Sequence, residues 1–211
     1  MPLYIYNDKK AKRSVAVYFI HIPKCAGTTL EKMFASLGFQ SFLAPEDYLF
    51  ARQYLKVPPT HFDIETIEKI FDLNKLYSFS IVRNPYNRIL SDYKWAKEKS
   101  NRTEYFKAMS FDEFCSNSFE EYKIDQTYLA SHIKPQHKFI SNNVKKVFKL
   151  EDGLETAIQQ VFADLGIVIS GNILLPRLNA TNENPIEISN YTRELIYDFY
   201  KEDFEMLGYE K

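Results

Sequence analysis

A loop between two apolar segments has the composition of an anion-binding site. The strand-like segment VAVYFIHI (residues 15–22) leads into PKCAGTT (residues 23–29), and the helical pattern LEKMFASLG follows. The start of a helix presents unpaired N–H groups and the positive end of the helix dipole, which both favour a phosphate or sulfate group. Gly27 would let the backbone approach such a group, and Lys24 would place an ammonium group beside it.

We expect the whole loop to contact the anion. Its residues are Pro23, Lys24, Cys25, Ala26, Gly27, Thr28 and Thr29. The two threonines add hydroxyl donors, and one of them is expected to cap the helix. The helix start would also lower the pKa of the Cys25 thiol. The alternative interpretation is an ordinary turn between a strand and a helix, with a threonine cap.

The loop differs from the Walker pattern G-x-x-x-x-G-K-[ST] in the order of its residues. Lys24 precedes Gly27 instead of following it, and no glycine opens the turn. A Walker loop places Lys and Ser/Thr side by side for a triphosphate with Mg²⁺. The shorter loop favours a ligand that carries one phosphate and one transferable group at its end.

The segment IVRNPYNRILSDY (residues 81–93) has the groups for a second phosphate site. Arg83 comes at the end of a predicted strand, and Ser91 follows about two helical turns later. The guanidinium group and the hydroxyl group would together hold a phosphate. Arg88 would either join this site or pair with an acid. The alternative is that Arg83 pairs with a carboxylate and that Ser91 faces solvent.

Strands and helices alternate along the chain. Strands are predicted at residues 15–22, 77–82 and 144–150, and they imply an α/β fold with a three-layer parallel sheet flanked by helices. In such sheets ligands bind beyond the carboxyl ends of the strands, where both predicted loops lie.

Helical patterns connect these strands. Asp63 and Asn84 are predicted N-caps, with Pro85 at a first helical position. The predicted apolar stripes contain Leu30, Met33, Phe34 and Leu37; Ile64, Ile67, Ile70 and Phe71; Leu154, Ile158, Val161, Phe162 and Leu165; and Leu195, Ile196, Phe199, Tyr200 and Leu207.

Composition excludes several classes of protein. The 211 residues suit one domain, residues 1–211, and 27 Lys+Arg against 28 Asp+Glu argue against a general nucleic-acid binder. Cys25 and Cys115 form neither a disulfide framework nor a C-x-x-C metal motif, which favours a reducing compartment. The first residues lack an apolar signal core, and the longest apolar run is too short to span a bilayer. We expect a cytoplasmic protein without a membrane anchor.

The two motifs together resemble a known family. HIPKCAGTTL looks like the 5′-phosphosulfate loop of the carbohydrate-type (family 2) sulfotransferases, and IVRNPYNRILSDY looks like their 3′-phosphate motif. These enzymes use 3′-phosphoadenosine 5′-phosphosulfate (PAPS), and their fold is related to the P-loop kinases. The resemblance runs roughly from residue 15 to 207, and it is looser at Lys134-Pro135-Gln136 and at LPRLNAT.

The resemblance implies roles for individual residues. It assigns Lys24, Gly27, Thr28 and Thr29 to the 5′ end of PAPS, and Arg83 and Ser91 to its 3′-phosphate. It also implies that Asn179 and Thr181 belong to a loop that closes over the nucleotide.

Sulfuryl transfer to a hydroxyl group also needs a base. His61, in PPTHFDIETI, is the first candidate, because an imidazole can take a proton near neutral pH and relatives have a His or Glu in this stretch. The alternative is a surface or capping histidine. His132 is the rival candidate, with contact to the acceptor as its other role. His21 lies in the predicted core strand and is expected to be a packing or hydrogen-bonding residue, and His137 receives no role.

The predicted function is transfer of a sulfuryl group from PAPS to a hydroxyl group, which leaves 3′-phosphoadenosine 5′-phosphate (PAP). The resemblance implies a sugar or polysaccharide acceptor. We expect no metal, since neither motif has a carboxylate pair for Mg²⁺ and His132 and His137 are too far apart in sequence for a helical zinc pair. The alternatives are a phosphotransferase that uses ATP and Mg²⁺, and a module that binds PAP without turnover.

Overall fold

The computed structural model describes residues 3–8, 11–42, 54–100, 102–168 and 186–211. Over these ranges, no helix combines the length and the apolar character needed to cross a lipid bilayer.

A five-stranded sheet forms the centre of the described structure. Its strands are β1 (Leu3–Asp8), β2 (Arg13–Ile20), β3 (Gln40–Phe42), β4 (Tyr77–Val82) and β5 (Lys146–Lys149), in the spatial order β3-β1-β2-β4-β5. Strands β2, β4 and β5 are parallel, whereas β1 is antiparallel to both of its neighbours. The three strands predicted from the sequence are thus parallel to one another, whereas β1 and β3 were not predicted, and β1 makes the sheet mixed instead of parallel throughout. Only a few residues join β1 to β2, too few for the crossover that a parallel pair requires.

The two central strands are buried on both faces. Val17, Tyr18, Phe19 and Ile20 at the end of β2 are consecutive buried residues, and Ser78 to Val82 of β4 are buried too. Such runs are typical of parallel strands that are covered by helices on each side. The predicted strand at residues 77–82 is confirmed, and β2 ends two residues before the predicted limit.

Helices flank the sheet, and short 3₁₀ turns connect several of them. The helices are α1 (Gly27–Ser36), α2 (Ile64–Ile70), α3 (Pro85–Lys99), α4 (Thr103–Lys107), α5 (Phe111–Ile124), α6 (Leu154–Leu165), α7 (Asn190–Phe199) and α8 (Lys201–Leu207). The 3₁₀ turns lie at Pro59–His61, Leu73–Lys75, Tyr128–Ser131, Gln136–Phe139 and Leu150–Asp152.

The predicted helical stripes are confirmed in part. The apolar faces of α1 and α6 are buried, with Leu30, Phe34, Ile158 and Phe162 among the core residues. Ile70, which was expected in the core, is 54% exposed at the end of α2. The last predicted stripe spans two helices instead of one, because α7 ends before Tyr200 and α8 begins after it.

The apolar residues form two clusters. One surrounds the sheet and includes residues from α1 and α6, and the other joins α3, α5, α7 and α8. The carboxyl ends of β2 and β4 lead into the loop before α1 and into α3, so both predicted motifs lie at this edge of the sheet.

The predicted caps of α2 and α3 are confirmed. Asp63 accepts a hydrogen bond from the Thr66 N–H group, and Asn84 accepts from the N–H groups of Tyr86 and Asn87. Pro85 occupies the first turn of α3, where its missing N–H group costs nothing. These caps fix where each helix begins, and therefore how its later residues face the site.

The Asn84→Ala substitution should lower the free energy of unfolding by about 0.5–2 kcal/mol, because two N–H groups lose their acceptor. Urea denaturation measures this loss. Asn87→Ala is the matched control, since Asn87 is an exposed residue in the same helical turn. Equal losses in the two variants would contradict a capping role for Asn84.

Candidate active site

The loop before α1 has an unusual backbone. Lys24 and Ala26 have left-handed φ angles of 68° and 64°, which are uncommon for residues other than glycine. Ala26 is the N-cap of α1, and no side chain of the described residues caps the helix. The prediction of a threonine cap is therefore wrong. The first N–H groups of α1 are left without a capping side chain, which suits an anion-binding helix start.

Gly27 is required by a neighbouring histidine. A Cβ atom at this position would lie 2.0 Å from His21 Nε2, closer than any real contact. The His21 imidazole therefore covers the start of α1, and its Nδ1 lies 3.1 Å from Glu31 Oε1. The sequence placed His21 in the core, but the structure places it on the predicted anion loop.

Three histidines form a cluster beside this loop. The ring of His61 lies 5.3 Å from that of His21 and 5.0 Å from that of His132, and both contacts are edge-to-face. Nδ1 of His61 is 2.9 Å from the Ala130 carbonyl oxygen, so this nitrogen must donate. In neutral His61 the proton is therefore on Nδ1, and Nε2 carries a free lone pair.

The surroundings keep His61 uncharged. Burial lowers the pKa of His61 well below its ordinary value, and the neighbouring His132 and His21 lower it further. The hydrogen bond to Ala130 acts in the opposite direction. A neutral imidazole with a free Nε2 has the protonation state that a general base requires.

His132 has a different partner. Its Nδ1 lies 2.6 Å from Oδ1 of Asp92, a residue of α3 that is 1% exposed. The ring of Trp95, one turn further along α3, lies 4.2 Å from the His132 ring. Lys24 Nζ lies 5.7 Å from the centre of the Trp95 ring, so Trp95 is close to both the lysine and His132.

Arg88 holds this region together through backbone carbonyl groups. Its buried guanidinium group donates to Pro23 O at 3.1 Å, to His132 O at 2.6 Å and to Lys134 O at 2.9 Å. Among the described residues Arg88 forms no ion pair with an acid, and the hydrogen bonds of its guanidinium group go to backbone carbonyl groups. It connects the anion loop to the segment that carries His132.

The segment before His132 is strained. Leu129, Ala130 and Ser131 have consecutive left-handed φ angles of 49°, 55° and 67°. Each such residue costs on the order of 1–3 kcal/mol, and it persists only where surrounding contacts hold it. Here the contacts come from His61, which donates to Ala130 O, and from Arg88.

Gln136 fixes the second motif against the first. Its buried side chain accepts from Arg83 N at 2.9 Å and donates to Arg83 O at 2.8 Å. The thiol of Cys25 donates to the same Gln136 oxygen at 3.4 Å. Arg83 Nη1 lies 3.3 Å from Lys24 O, so the two predicted anion-binding motifs are adjacent.

The charge of Lys24 depends on this environment. Burial lowers the pKa of Lys24; Asp92 opposes the shift, and Lys99 and Arg83 reinforce it. A bound anion would favour the charged form, because an opposite charge nearby stabilises the ammonium group.

The structure brings together most of the predicted site residues. The anion loop, Arg83, His61 and His132 lie in one region, and Ser91 is half-buried on α3. Asn179 and Thr181 lie outside the described residues. The expected lowering of the Cys25 pKa by the helix start is wrong, because burial raises the pKa of this thiol to about 12.

Sequence reasoning missed several residues of the site. They are His21, Glu31, Asp92 and Trp95. One signal was present in α3, where Arg88, Ser91, Asp92 and Trp95 recur at spacings of three and four and so share a helix face. His137 lies elsewhere, with Nδ1 at 2.8 Å from the buried Asp203.

The residues of the site do not form a metal centre in the described part of the chain. No group of three or more His, Cys, Asp or Glu side chains there is arranged to hold a metal ion. The histidine cluster is instead built from ring contacts and from hydrogen bonds to a carbonyl group and two carboxylates.

The family model described as "Sulfotransferase family" matches residues 11–210. The chain therefore belongs to the sulfotransferase family and is of its family 2 type, so it is an enzyme that transfers a sulfuryl group. Searches of curated proteins and of solved structures found no match.

A double-substitution experiment tests the contact between Gly27 and His21. Gly27→Ala should destabilise the protein by about 1–3 kcal/mol, because the added methyl group meets the imidazole ring. In a His21→Ala background the same change should be neutral or stabilising by about 0.5–1 kcal/mol, since alanine suits a helix better than glycine. Thermal unfolding measures both effects. An equal cost in the two backgrounds would show that the ring does not limit the space at Gly27.

Proposed function

We propose that this enzyme transfers the sulfuryl group of PAPS to a hydroxyl group and releases PAP. The observation that supports the proposal most directly is the contact between Arg83 Nη1 and Lys24 O at 3.3 Å. PAPS carries anionic groups at both its 5′ and 3′ positions. Two adjacent anion-binding motifs match such a donor, whereas a donor with one phosphate chain would leave the second motif without a ligand.

The first motif is proposed to hold the 5′-phosphosulfate. The start of α1 supplies N–H groups and a positive dipole end, and Lys24, Thr28 and Thr29 supply side-chain donors. Cys25 and Gly27 contribute through their backbone. Pro23 and Ala26 shape the loop, and Pro23 O is held by Arg88.

The second motif is proposed to hold the 3′-phosphate. Arg83 supplies a planar guanidinium group, and Ser91 supplies a hydroxyl group from the same helix face as Asp92 and Trp95. Asn179 and Thr181 are proposed, from the family resemblance alone, to close over the nucleotide.

The chemical step follows from these positions. The acceptor oxygen forms a bond to sulfur while the bond between sulfur and the bridging oxygen breaks. The electron pair of the broken bond stays on the bridging oxygen, which leaves as part of PAP. The transition state is loose, as in phosphoryl transfer, so positioning and charge stabilisation dominate the rate. Lys24 is proposed to stabilise the charge that grows on the bridging oxygen.

An imidazole of the histidine cluster takes the proton of the acceptor hydroxyl group. His61 is the candidate from the sequence, and its neutral state and free Nε2 support that role. His132 is the second candidate and lies one ring contact away. A hydroxyl group of a sugar or polysaccharide is the proposed acceptor, by resemblance to carbohydrate sulfotransferases.

Nucleotide binding tests the proposed donor site. PAP and 5′-AMP differ only in the 3′-phosphate. Arg83→Ala should weaken PAP binding by about 10- to 100-fold, because hydrogen bonds to a charged phosphate are lost. The same substitution should leave the binding of 5′-AMP unchanged, since this nucleotide has no 3′-phosphate. Isothermal titration calorimetry measures both affinities. Arg193→Ala is the matched control, since Arg193 is exposed on α7 and stacks on Tyr86.

Thermal unfolding with added ligand separates the proposed function from a phosphotransferase. PAP at 100 times its dissociation constant should stabilise the protein by about 2.7 kcal/mol without added metal. Stabilisation by Mg-ATP and not by PAP would contradict the proposed donor.

Transfer itself is tested with labelled PAPS and a panel of sugars, lipids and phenols. Lys24→Ala should lower the transfer rate by about 10²- to 10³-fold, because a donor to the growing charge is lost. Lys32→Ala is the control, as Lys32 is exposed on α1. PAP binding with no transfer to any acceptor would favour a binding module, and full activity of Lys24→Ala would remove the role of this lysine.

A further inference from the structure

The end of β4 leads into backbone groups that the sheet does not satisfy. The strand ends at Val82, and the next two N–H groups belong to Arg83 and Asn84. Gln136 Oε1 accepts from Arg83 N at 2.9 Å, and Glu151 Oε1 accepts from Asn84 N at 2.8 Å. Two side chains from other segments therefore set the path of the chain where it leaves the sheet.

The guanidinium group of Arg83 depends on this backbone for its position. Arg83 is half-buried, and its Nη1 donates to the carbonyl oxygen of Lys24 at 3.3 Å. Within the described ranges, no acid holds Arg83 in an ion pair. An acid would fix the guanidinium group but would also compete with an anionic ligand. The direction of this side chain therefore depends on how firmly the backbone of residues 83 and 84 is held.

Asp203 of α8 holds the turn that carries Gln136. Its carboxyl group is fully buried; Oδ2 accepts from Gln136 N and Oδ1 accepts from His137 N, both at 2.8 Å. These are the first N–H groups of the 3₁₀ turn Gln136–Phe139, whose N-cap, Pro135, offers no side-chain acceptor. The start of a helical turn leaves such N–H groups without partners inside the turn. Asp203 therefore supplies, from α8, the acceptors that a capping side chain would give.

Gln136 transmits this constraint to Arg83. Its buried side chain accepts from the N–H group of Arg83 at 2.9 Å and donates to the C=O group at 2.8 Å. The thiol of Cys25, a weak donor, contacts the same amide oxygen at the longer distance of 3.4 Å. A displaced turn would either move the backbone of Arg83 or leave buried polar groups without partners, which is costly.

A second link starts in the segment after α8. Tyr209 OH donates to Glu151 Oε2 at 3.0 Å, while the other oxygen of Glu151 accepts from Asn84 N. Lys149 donates to Gly208 O at 2.6 Å, and its Nζ lies 4.4 Å from the centre of the Tyr209 ring. Because Glu151 is exposed, this link contributes less than the buried one. The end of the described chain thus contacts the end of β4 through two separate intermediates.

We propose that Asp203 and Tyr209 are positioning residues for Arg83, and that they direct its guanidinium group at the 3′-phosphate of the donor. Asp203 acts through Gln136, and Tyr209 acts through Glu151. This inference rests on the proposed donor, PAPS. Loss of either residue weakens binding of the 3′-phosphate and leaves binding of the 5′ end unchanged.

The affinities for PAP and 5′-AMP test the proposal by isothermal titration calorimetry. Asp203→Asn replaces an accepting oxygen with an NH₂ group, so one N–H group of the turn loses its acceptor. PAP binding should weaken by about 5- to 20-fold, which is part of the loss expected for Arg83→Ala, and 5′-AMP affinity should stay within about twofold. Glu202→Gln is the matched control and should change neither affinity, since Glu202 is the adjacent acid of α8 and contacts His137 Nε2 at 3.1 Å.

A double-mutant cycle shows whether Asp203 acts through Arg83. In an Arg83→Ala background, Asp203→Asn should weaken PAP binding by less than about twofold, since the group that Asp203 positions is already absent. Equal losses of PAP affinity in the two backgrounds would overturn the proposal. An equal loss of PAP and 5′-AMP affinity in Asp203→Asn would also overturn it.

Tyr209→Phe tests the second link with a milder change. It removes one hydroxyl group and should weaken PAP binding by about 2- to 5-fold, because Glu151 loses a hydrogen-bond donor. Tyr191→Phe is the control, since Tyr191 is an exposed residue of α7. Thermal unfolding checks that each variant is folded, and the result for Tyr209→Phe decides if Asp203→Asn is not. Unchanged PAP affinity in Tyr209→Phe would overturn the role of Tyr209.

Amide hydrogen exchange separates this inference from the proposed function, because it needs no ligand. The N–H group of Arg83 in Asp203→Asn, and that of Asn84 in Tyr209→Phe, should exchange about 5- to 10-fold faster than in the wild type, while Ile81 within β4 keeps its rate. Unchanged exchange at both positions would overturn the positioning roles. Equal wild-type affinities for PAP and 5′-AMP, with the faster exchange observed, would instead overturn the proposed 3′-phosphate site.

Discussion

A single buried guanidinium group joins the two halves of the active site. Arg88 is 2% exposed and is bonded to carbonyl groups from the anion loop and from the segment of His132. A buried cation must have hydrogen-bond acceptors. The carbonyl groups of the two segments can accept from Arg88 only if both segments stay in place. The positions of the predicted anion loop and of the candidate base are therefore coupled through one side chain.

Gln136 makes a similar connection between the two donor motifs. It pairs with both backbone groups of Arg83 as a neighbouring strand would, and its own N–H group donates to the buried Asp203 of α8. The side-chain amide of Gln136 thus satisfies the backbone groups of Arg83 just beyond the end of β4, in the way that a neighbouring strand would within the sheet. The site is thus built at the sheet edge, on irregular segments that buried polar side chains hold in place.

Local chemistry explains which features the sequence could predict. The strand at residues 77–82 and the Asn84 cap with Pro85 depend on neighbouring residues, and these were predicted correctly. The antiparallel β1, the ring of His21 over Gly27 and the Asp92–His132 pair depend on contacts between distant segments. Gly27 shows the difference: the sequence identified the glycine, but only the packing showed that an imidazole requires it.

The position of Cys25 has a consequence for oxidising conditions. Its thiol is fully buried in the predicted anion loop and bonded to Gln136, and burial raises its pKa to about 12. Oxidants and alkylating reagents attack exposed thiolates, so this cysteine is protected although it lies in that loop. Alkylating reagents and mild oxidants should therefore leave the thiol of this loop unmodified as long as the protein stays folded.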